Sequence, residues 1–187
     1  MSALPILSLV SIDDYLKGEA VSQIKHEYLA GVVHAMSGGS IQHGDVSGRA
    51  FGSLFVRLRG GVCRPCNSDI KVRVGSGVQT RFYYPDCSVV CDGNEKRLDY
   101  EDRPVVIVEV LSPSTRRIDD GEKRLAYLGI PSLRVYLMVE PEQPHVLVDR
   151  RDGEGEAFLR EVHQGMAAVI PLPEIGTELP LRELYED

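Results

Sequence analysis

The sequence predicts a single α/β domain, residues 1–187, in which a central mixed sheet is flanked by helices. Short apolar runs of strand length alternate with segments of helical periodicity, which is typical of a sheet covered by helices. The run at residues 104–111 is apolar on both faces except for Glu109, and such strands are normally buried in the middle of a sheet. A chain of 187 residues is long enough to bury a core of this kind.

The other elements follow from the positions of turn residues and helix caps. A capped segment at residues 11–17 predicts the first helix, and residues 25–29 and 32–36 predict a hairpin around Ala30 and Gly31. Apolar runs bounded by turn residues predict further strands at residues 62–66, 69–74, 83–91, 133–140, 145–149 and 158–162. Residues 119–128 predict another helix, whereas residues 166–187 contain Pro and Gly and are expected to be irregular.

The longest helix is predicted at residues 41–59. Its apolar positions recur every four residues, at Val46, Ala50, Leu54 and Leu58. A row of glycines has the same spacing, at Gly44, Gly48 and Gly52. Because glycine has no side chain, this row predicts that another backbone approaches the helix closely. We expect that backbone to belong to the sheet, and a contact between two copies of the chain is the alternative.

The charge of the chain narrows the classes of function. The formal net charge is −7 at pH 7, whereas a protein that passively coats nucleic acid normally has an excess of Lys and Arg. A metal enzyme is compatible with this charge, because clustered carboxylates lower the count and a bound cation restores it locally. No apolar run reaches the roughly 18 residues of a membrane helix, and the N-terminus lacks the basic start of a signal peptide. We therefore expect a cytoplasmic protein that does not enter the membrane.

Two closely spaced pairs of cysteines suggest a zinc site at first sight: Cys63 with Cys66, and Cys87 with Cys91. However, Cys87 and Cys91 fall in one predicted strand, where four residues span about 13 Å, too far to share one ion. We therefore expect four buried or half-buried thiols in a reducing compartment. A redox pair at Cys63 and Cys66 is the alternative.

Two carboxylates lie in apolar strands and need an explanation. Glu109 lies in the run at residues 104–111, and Asp86 follows Pro85 in the predicted strand at residues 83–91. An ionised carboxylate in an apolar strand is costly unless it is paired with a cation. Carboxylates on neighbouring strands, about 4.8 Å apart, can both reach one Mg²⁺. The sequence thus indicates either a metal site or ion pairs with some of the arginines.

The segments around these carboxylates resemble the PD-(D/E)XK nuclease superfamily and, within it, the bacterial "putative restriction endonuclease" family, also called the Uma-two group. The similarity is carried by the tripeptide YPD at residues 84–86, by IVEVLSPST at residues 107–115, and by the helix with Asp119, Lys123 and Tyr127. HEYLAG at residues 26–31 and the later His43 also resemble the family's N-terminal pattern. The resemblance spans residues 25–140 and implies a restriction-endonuclease-like α+β fold.

The resemblance also implies a set of site residues. Asp86 and Glu109 would be metal ligands, with the carbonyl group of Val110 as a third, and Glu27 would complete the metal shell or hold a water. The implied cofactor is Mg²⁺ or Mn²⁺, and the implied activity is the hydrolysis of phosphodiester bonds in DNA.

One position departs from the superfamily's signature. A lysine normally follows the acid by two residues, and Leu111 stands there. In this family the lysine matches Lys123, in the next helix. Lys123 can take the place of the usual lysine if the helix packs so that the amino group of Lys123 lies near the Glu109 end of the strand.

Three hypotheses therefore remain open for the function. The first is a metal-dependent endonuclease acting on DNA. The second, which the displaced lysine and the acidic charge keep open, is a catalytically silent protein of the same fold that binds or regulates a partner. The third is a zinc or redox protein built on the cysteines. We also expect a homo-oligomer, with a dimer favoured, because the glycine-rich helix and residues 166–187 offer contact surface.

Overall fold

The computed structural model describes residues 9–112, 119–151, 153 and 157–186. In these residues the helices are α1 (Ile12–Glu19), α2 (Ile41–Arg57), α3 (Arg124–Leu128) and α4 (Arg182–Tyr185), and a π-helical turn (Asp119–Lys123) leads directly into α3. The strands are β1 (His26–Leu29), β2 (Val32–Ala35), β3 (Arg64–Asn67), β4 (Lys71–Val74), β5 (Arg81–Tyr83), β6 (Cys87–Val90), β7 (Tyr100–Glu101), β8 (Pro104–Val110), β9 (Val135–Val139), β10 (His145–Arg151), β11 (Phe158–Gln164), β12 (Val169–Leu172) and β13 (Thr177–Pro180). Short 3-10 turns lie at Gly77–Gln79 and Pro173–Ile175.

The described strands form two large mixed sheets and a separate hairpin. The five-stranded sheet has the order β2-β1-β5-β4-β7, the six-stranded sheet has the order β11-β10-β9-β8-β6-β3, and β12 pairs with β13. Each large sheet contains one parallel pair, β4 with β7 and β8 with β9, among antiparallel ones. The predicted fold class, mixed sheet flanked by helices, is confirmed.

The strand predicted at residues 83–91 is wrong in one respect, because it is two strands in two different sheets. β5 ends at Tyr83 in the five-stranded sheet, and β6 begins at Cys87 in the six-stranded sheet. Pro85 lies in the link between them, and proline cannot donate a hydrogen bond to a sheet. Asp86 therefore stands on the connection between the two sheets.

The strand β8 lies in the middle of the six-stranded sheet, between β6 and β9, as its apolar sequence predicts. One of its faces packs against α2 through Val106, Val108 and Val110. The other face, which carries Ile107, packs against α3 and the five-stranded sheet. Because side chains alternate along a strand, Glu109 points to the same face as Ile107. That face belongs to the core between the two sheets.

The glycine row of α2 does not face the sheet, so our expectation of a close contact there is wrong. The residues that do face the sheet are Val46, Ala50 and Leu54, all buried. Among the described residues, a Cβ atom added at Gly44, Gly48 or Gly52 would meet no atom within 4 Å apart from its chain neighbours and the backbone of α2 itself. Each such glycine in an exposed helix costs about 1 kcal/mol of stability relative to alanine. Contacts within the described part of the chain give no reason for this cost.

The expectation of four free thiols is also wrong. Cys63 and Cys91 form a disulfide, whereas Cys66 and Cys87 are free and buried. The strands β3 and β6 pair antiparallel with Arg64 opposite Val90, which sets Cys63 and Cys91 opposite each other as the next pair. The pairing of β3 with β6 is not visible in the sequence, and it decides which cysteines meet.

The C-terminal residues are ordered, contrary to the prediction of an irregular tail. The hairpin β12–β13 and the helix α4 cover the α2 side of the six-stranded sheet, with Ile170, Leu172, Leu179, Leu181 and Leu184 in the core. Buried and exposed residues alternate along β12, which is the pattern of a half-buried strand. Prolines are tolerated in such a peripheral strand. None of the helices in the described ranges is long and apolar enough to cross a membrane.

Candidate functional site

Glu109 is the centre of the candidate site. It lies one residue before the end of β8 and is only 4% exposed. The hydroxyl of Tyr127, in α3, donates a hydrogen bond to Glu109 Oε1 at 3.0 Å. Burial raises the pKa of the Tyr127 hydroxyl well above its usual value, and the carboxylates of Glu109 and Glu27 raise it further. Tyr127 is therefore a neutral donor that fixes one oxygen of the buried carboxylate.

Lys123 reaches Glu109 from the neighbouring helical turn. Its Nζ atom lies 2.9 Å from Glu27 Oε1 and 3.5 Å from Glu109 Oε1. The lysine side chain is 7% exposed, and its Nζ lies 5.7 Å from the centre of the Tyr83 ring. Tyr83 in turn packs edge-on against Tyr127. The structure thus places the amino group at the Glu109 end of the strand, which is the geometry that the displaced lysine requires.

Glu27 comes from the five-stranded sheet. It lies in β1, whose neighbour β5 pairs Tyr28 with Phe82. The next pair of this register sets Glu27 beside Tyr83, on the face that looks toward Lys123. The contact between Glu27 and Lys123 therefore joins the five-stranded sheet to the helical turn.

Asp86 reaches the same strand end from the link between the sheets. Its Oδ2 atom accepts a hydrogen bond from the backbone N–H of Val110 at 2.7 Å. The register of β6 and β8 pairs Cys87 with Val108, and its continuation sets Asp86 opposite Glu109. Asp86 thus contacts the main chain of Val110 at the end of β8, next to Glu109.

His43 contacts the site, although it is not among the predicted site residues. Its Nε2 atom lies 3.4 Å from Asp86 Oδ2, and its side chain is 19% exposed. On the other edge of the ring, a Cβ atom at Gly39 would come within 2.8 Å of Nδ1, so a larger residue there would require the imidazole ring to shift. The sequence signal was present in the family pattern, but alone it does not distinguish His43 from a histidine near a helix cap. Tyr127, also missed, is signalled by its place one turn after Lys123.

The charges of the site fit a divalent cation. Among the residues that the structure describes, three carboxylates, of Glu27, Asp86 and Glu109, accompany one ammonium, of Lys123, and these side chains are at most 15% exposed. An excess of buried negative charge is costly unless a cation balances it. Carboxylate and carbonyl oxygens are also the ligands that Mg²⁺ and Mn²⁺ prefer. By charge and by chemistry, these residues suit such an ion.

The arrangement limits how many side chains would bind the ion directly. Among the described residues, no group of three or more His, Cys, Asp or Glu side chains is placed to hold a metal. This includes the cysteines, whose two free thiols have pKa values raised by burial. The zinc hypothesis therefore gains no support from the described residues, and the alternative of a redox pair at Cys63 and Cys66 is wrong, because Cys63 is bonded to Cys91 and Cys66 is free. A site on the strand end would use Asp86, Glu109 and a main-chain oxygen.

A second buried charge cluster holds the helix next to the site. Asp149, in β10, is fully buried and accepts hydrogen bonds from Arg124 at 2.6 Å and from Arg160 at 2.9 Å. Burial alone would raise the pKa of Asp149, but the hydrogen bonds from Arg160 and Arg124 outweigh it and lower the pKa. Because Arg124 directly follows Lys123, this cluster anchors the turn that carries the lysine.

The remaining part of the motif is only partly described. Leu111, at the position of the superfamily's usual lysine, is 2% exposed and belongs to the apolar core between the sheets. A lysine at this position would bury its amino group among apolar side chains. Residues 113–115 of the IVEVLSPST segment lie outside the described residues.

Comparisons with known proteins establish the fold and the family of the chain. Two proteins of Synechocystis sp. are similar in sequence: "Uncharacterized protein slr1290" is 36% identical over 79% of this chain and 77% of its own length, and "Uncharacterized protein sll1609" is 24% identical over 75% and 80%. A crystal structure from Anabaena variabilis, described as a putative nuclease belonging to DUF820, shares the fold with a TM-score of 0.73, covering 94% of this chain and 97% of that one at 18% identity. The model of the Uma2 family, described as "Putative restriction endonuclease", matches residues 12–182, so the chain belongs to this family.

Proposed function

We propose that the protein is an endonuclease that hydrolyses phosphodiester bonds of DNA with the help of Mg²⁺ or Mn²⁺. The observation that carries the proposal is the convergence of Glu27, Asp86, Glu109 and Lys123 on one strand end, from two sheets and a helical turn. The descriptions of the family and of the Anabaena structure name nucleases and support the same class.

In this proposal Asp86, Glu109 and the carbonyl group of Val110 hold the ion, which when bound polarises the phosphate and lowers the pKa of water. Glu27 accepts a hydrogen bond from the attacking water and keeps the ammonium of Lys123 in place. Lys123 stabilises the negative charge that develops on the phosphate oxygens.

Two further residues set the geometry of these groups. Tyr127 holds Oε1 of Glu109 through its hydroxyl, so the carboxylate keeps one orientation. His43 lies against Oδ2 of Asp86, with its Nε2 atom at 3.4 Å. We also propose the cytoplasm as the location and a homo-oligomer as the assembled form.

The proposal is tested by a cleavage assay on single-stranded, duplex and branched DNA with Mg²⁺, Mn²⁺ or EDTA. Asp86→Asn and Lys123→Ala remove one group each from the site. Asp69→Asn and Lys25→Ala are matched controls, because these residues form an exposed ion pair elsewhere. We expect cleavage by the wild type and by both controls, and its loss with EDTA and in both site variants. Equal cleavage by all five proteins would show that the site does not do the chemistry.

A second function, a protein of this fold that binds a partner without cutting, is favoured by the apolar Leu111 at the position of the usual lysine. The same assay separates the two. If purified wild type cleaves none of the substrates with either metal, the binding function becomes the better account.

A further inference from the structure

The outer face of α2 carries a row of glycines that no contact among the described residues explains. Gly44, Gly48 and Gly52 follow each other at one-turn intervals, and no atom of the described structure would obstruct a side chain at any of them. Glycine is, after proline, the poorest helix former. Three of them on one open stripe indicate that something from outside the chain comes close to the helix backbone.

Large apolar side chains flank the glycines at both ends of the stripe. Ile41, at the start of α2, is 85% exposed, and Phe55 and Val56, at its end, are 51% and 73% exposed. Beside Gly52 lies a groove of about 480 Å³ lined by Arg49, Ser53, Val56, Arg57 and Glu183. We call the stripe Ile41, Gly44, Gly48, Gly52, Phe55 and Val56 the glycine face. It has bulk at both ends and a depression in the middle.

We propose that the glycine face binds the same face of a second copy of the chain, with the two α2 helices antiparallel and a two-fold axis near Gly48. A two-fold axis makes one surface patch complementary to itself. Antiparallel packing sets each Ile41 against the partner's Phe55 and Val56, next to the groove, and sets each Gly44 against the partner's Gly52. The glycines thereby let the two backbones approach closely in the middle of the contact, and the large apolar side chains pack against each other at its two ends.

The charges on α2 favour the antiparallel direction. Asp45, exposed in the first half of the helix, would approach the partner's Arg49, which lines the groove beside Gly52, whereas Arg57 is paired with Glu183 of its own chain. A parallel pair would bring Asp45 toward the partner's Asp45 and the arginines toward each other. The helix dipoles also oppose each other favourably when the helices are antiparallel. The charges on α2 thus favour the antiparallel direction of the two helices, and the positions of the glycines and large apolar side chains set their register.

The interface is independent of the proposed nuclease activity, so the two proposals can fail separately. The first test measures the mass in solution by sedimentation velocity, for the wild type, Gly48→Arg and the matched control Gly18→Arg. Gly18 is an exposed helical glycine in α1 whose added Cβ also meets no other atom within 4 Å. We expect a dimer for the wild type and for Gly18→Arg, and a dissociation constant at least about tenfold higher for Gly48→Arg. A monomeric wild type, or an unchanged dimer in a folded Gly48→Arg, would overturn the proposal.

A second variant keeps the proposal testable if Gly48→Arg does not fold. Near the two-fold axis, Gly48→Cys places two cysteines close to each other, and the chain's free Cys66 and Cys87 are buried. Under mild oxidation, most of Gly48→Cys should form a covalent dimer on a non-reducing gel, while Gly18→Cys remains monomeric on the gel. Equal cross-linking of the two variants, or none in Gly48→Cys, would contradict the antiparallel contact.

Discussion

Two buried charge clusters are joined by the consecutive residues Lys123 and Arg124 of one helical turn, and they differ in the balance of their charges. The site cluster combines Lys123 with the carboxylates of Glu27 and Glu109, and Asp86 lies at the same strand end. The anchor cluster combines one carboxylate, of Asp149, with the guanidinium groups of Arg124 and Arg160. Lys123 and Arg124 therefore contribute to clusters of different composition: carboxylates surround the lysine, whereas the arginine shares one carboxylate with a second arginine.

The difference separates structural charge from functional charge. In the anchor cluster the chain supplies enough donors for the buried carboxylate, so the cluster needs nothing from outside. In the site cluster the carboxylates outnumber the ammonium group among the described residues, which is the charge that the proposed cation would offset. Buried charge that is offset by partners within the chain stabilises the fold, whereas a group of carboxylates that outnumbers the described cations beside it is suited to bind one.

The largest expected effect concerns activity. Glu109→Gln keeps the size and the acceptor for Tyr127 but removes one unit of negative charge from the proposed metal site. We expect cleavage of DNA to fall by at least about a thousandfold, as for the loss of a main electrostatic group in other enzymes. The measurement is the single-turnover rate at saturating Mg²⁺. An unchanged rate would mean that the excess charge is not functional.

The next largest effect concerns stability, and it should appear in the other cluster. Asp149→Asn leaves two arginines facing a neutral group in a fully buried position. We expect the free energy of unfolding to drop by about 3–5 kcal/mol, the range for breaking one side of a buried ion pair. Urea denaturation measures it. The comparison would break down if Glu109→Gln destabilised the metal-free protein as strongly as Asp149→Asn does.

A metal should stabilise the protein through the site cluster alone. At a Mg²⁺ concentration one hundred times the dissociation constant, binding to the folded state adds about 2.7 kcal/mol. We expect Mg²⁺ to raise the melting temperature of the wild type and of Asp69→Asn, but not that of Asp86→Asn. Calorimetric thermal unfolding with and without EDTA checks this. A similar rise in all three proteins would point to binding elsewhere.

A smaller effect is expected for the residue that orients the central carboxylate. Tyr127→Phe removes the hydroxyl that donates to Glu109 at 3.0 Å and leaves the ring in its core. The lost hydrogen bond to a charged acceptor corresponds to about 1.5–3 kcal/mol, so the cleavage rate should fall by about tenfold to a hundredfold. Tyr136→Phe, on a neighbouring ring of the same core, is a control. If both variants lose activity equally, the effect is one of packing.

The smallest effect is the dependence of stability on acid. The pKa of Asp149 is lower in the folded chain than in the unfolded chain, so this group stabilises the fold above its unfolded pKa of about 3.9. Its contribution is lost as the pH falls through that value toward the folded pKa. As the pH falls below about 5, which is about one unit above the unfolded pKa, we expect the free energy of unfolding to decrease more for the wild type than for Asp149→Asn. Parallel slopes for the two proteins would contradict the role of this carboxylate.

Patterns of local periodicity predicted the elements on which the site depends. The apolar run that became β8 and the four-residue spacing that became α2 appear within two residues of their predicted ends. Glu109 also stood out, because a carboxylate inside such a strand needs a partner. These patterns are local, and they predict the elements correctly because the positions of the apolar residues reflect which side chains the core buries.

Contacts between distant segments could not be predicted in the same way. The sequence does not show that Pro85 lies between two sheets, that Cys63 meets Cys91, or that the glycines of α2 face outward. Each depends on which strands pair or on which side of a helix the sheet lies. The resemblance to a family supplied the link between Lys123 and Glu109, which local physics alone did not.

The position of Asp86 between the two sheets has a consequence for motion. Glu27 belongs to one sheet, Glu109 to the other, and Lys123 touches both from the turn between them. The two sheets must therefore move as one body whenever these four groups are assembled. An opening of either sheet would separate the carboxylates before the chain unfolds, and a ligand that holds them together would slow that opening in both sheets at once.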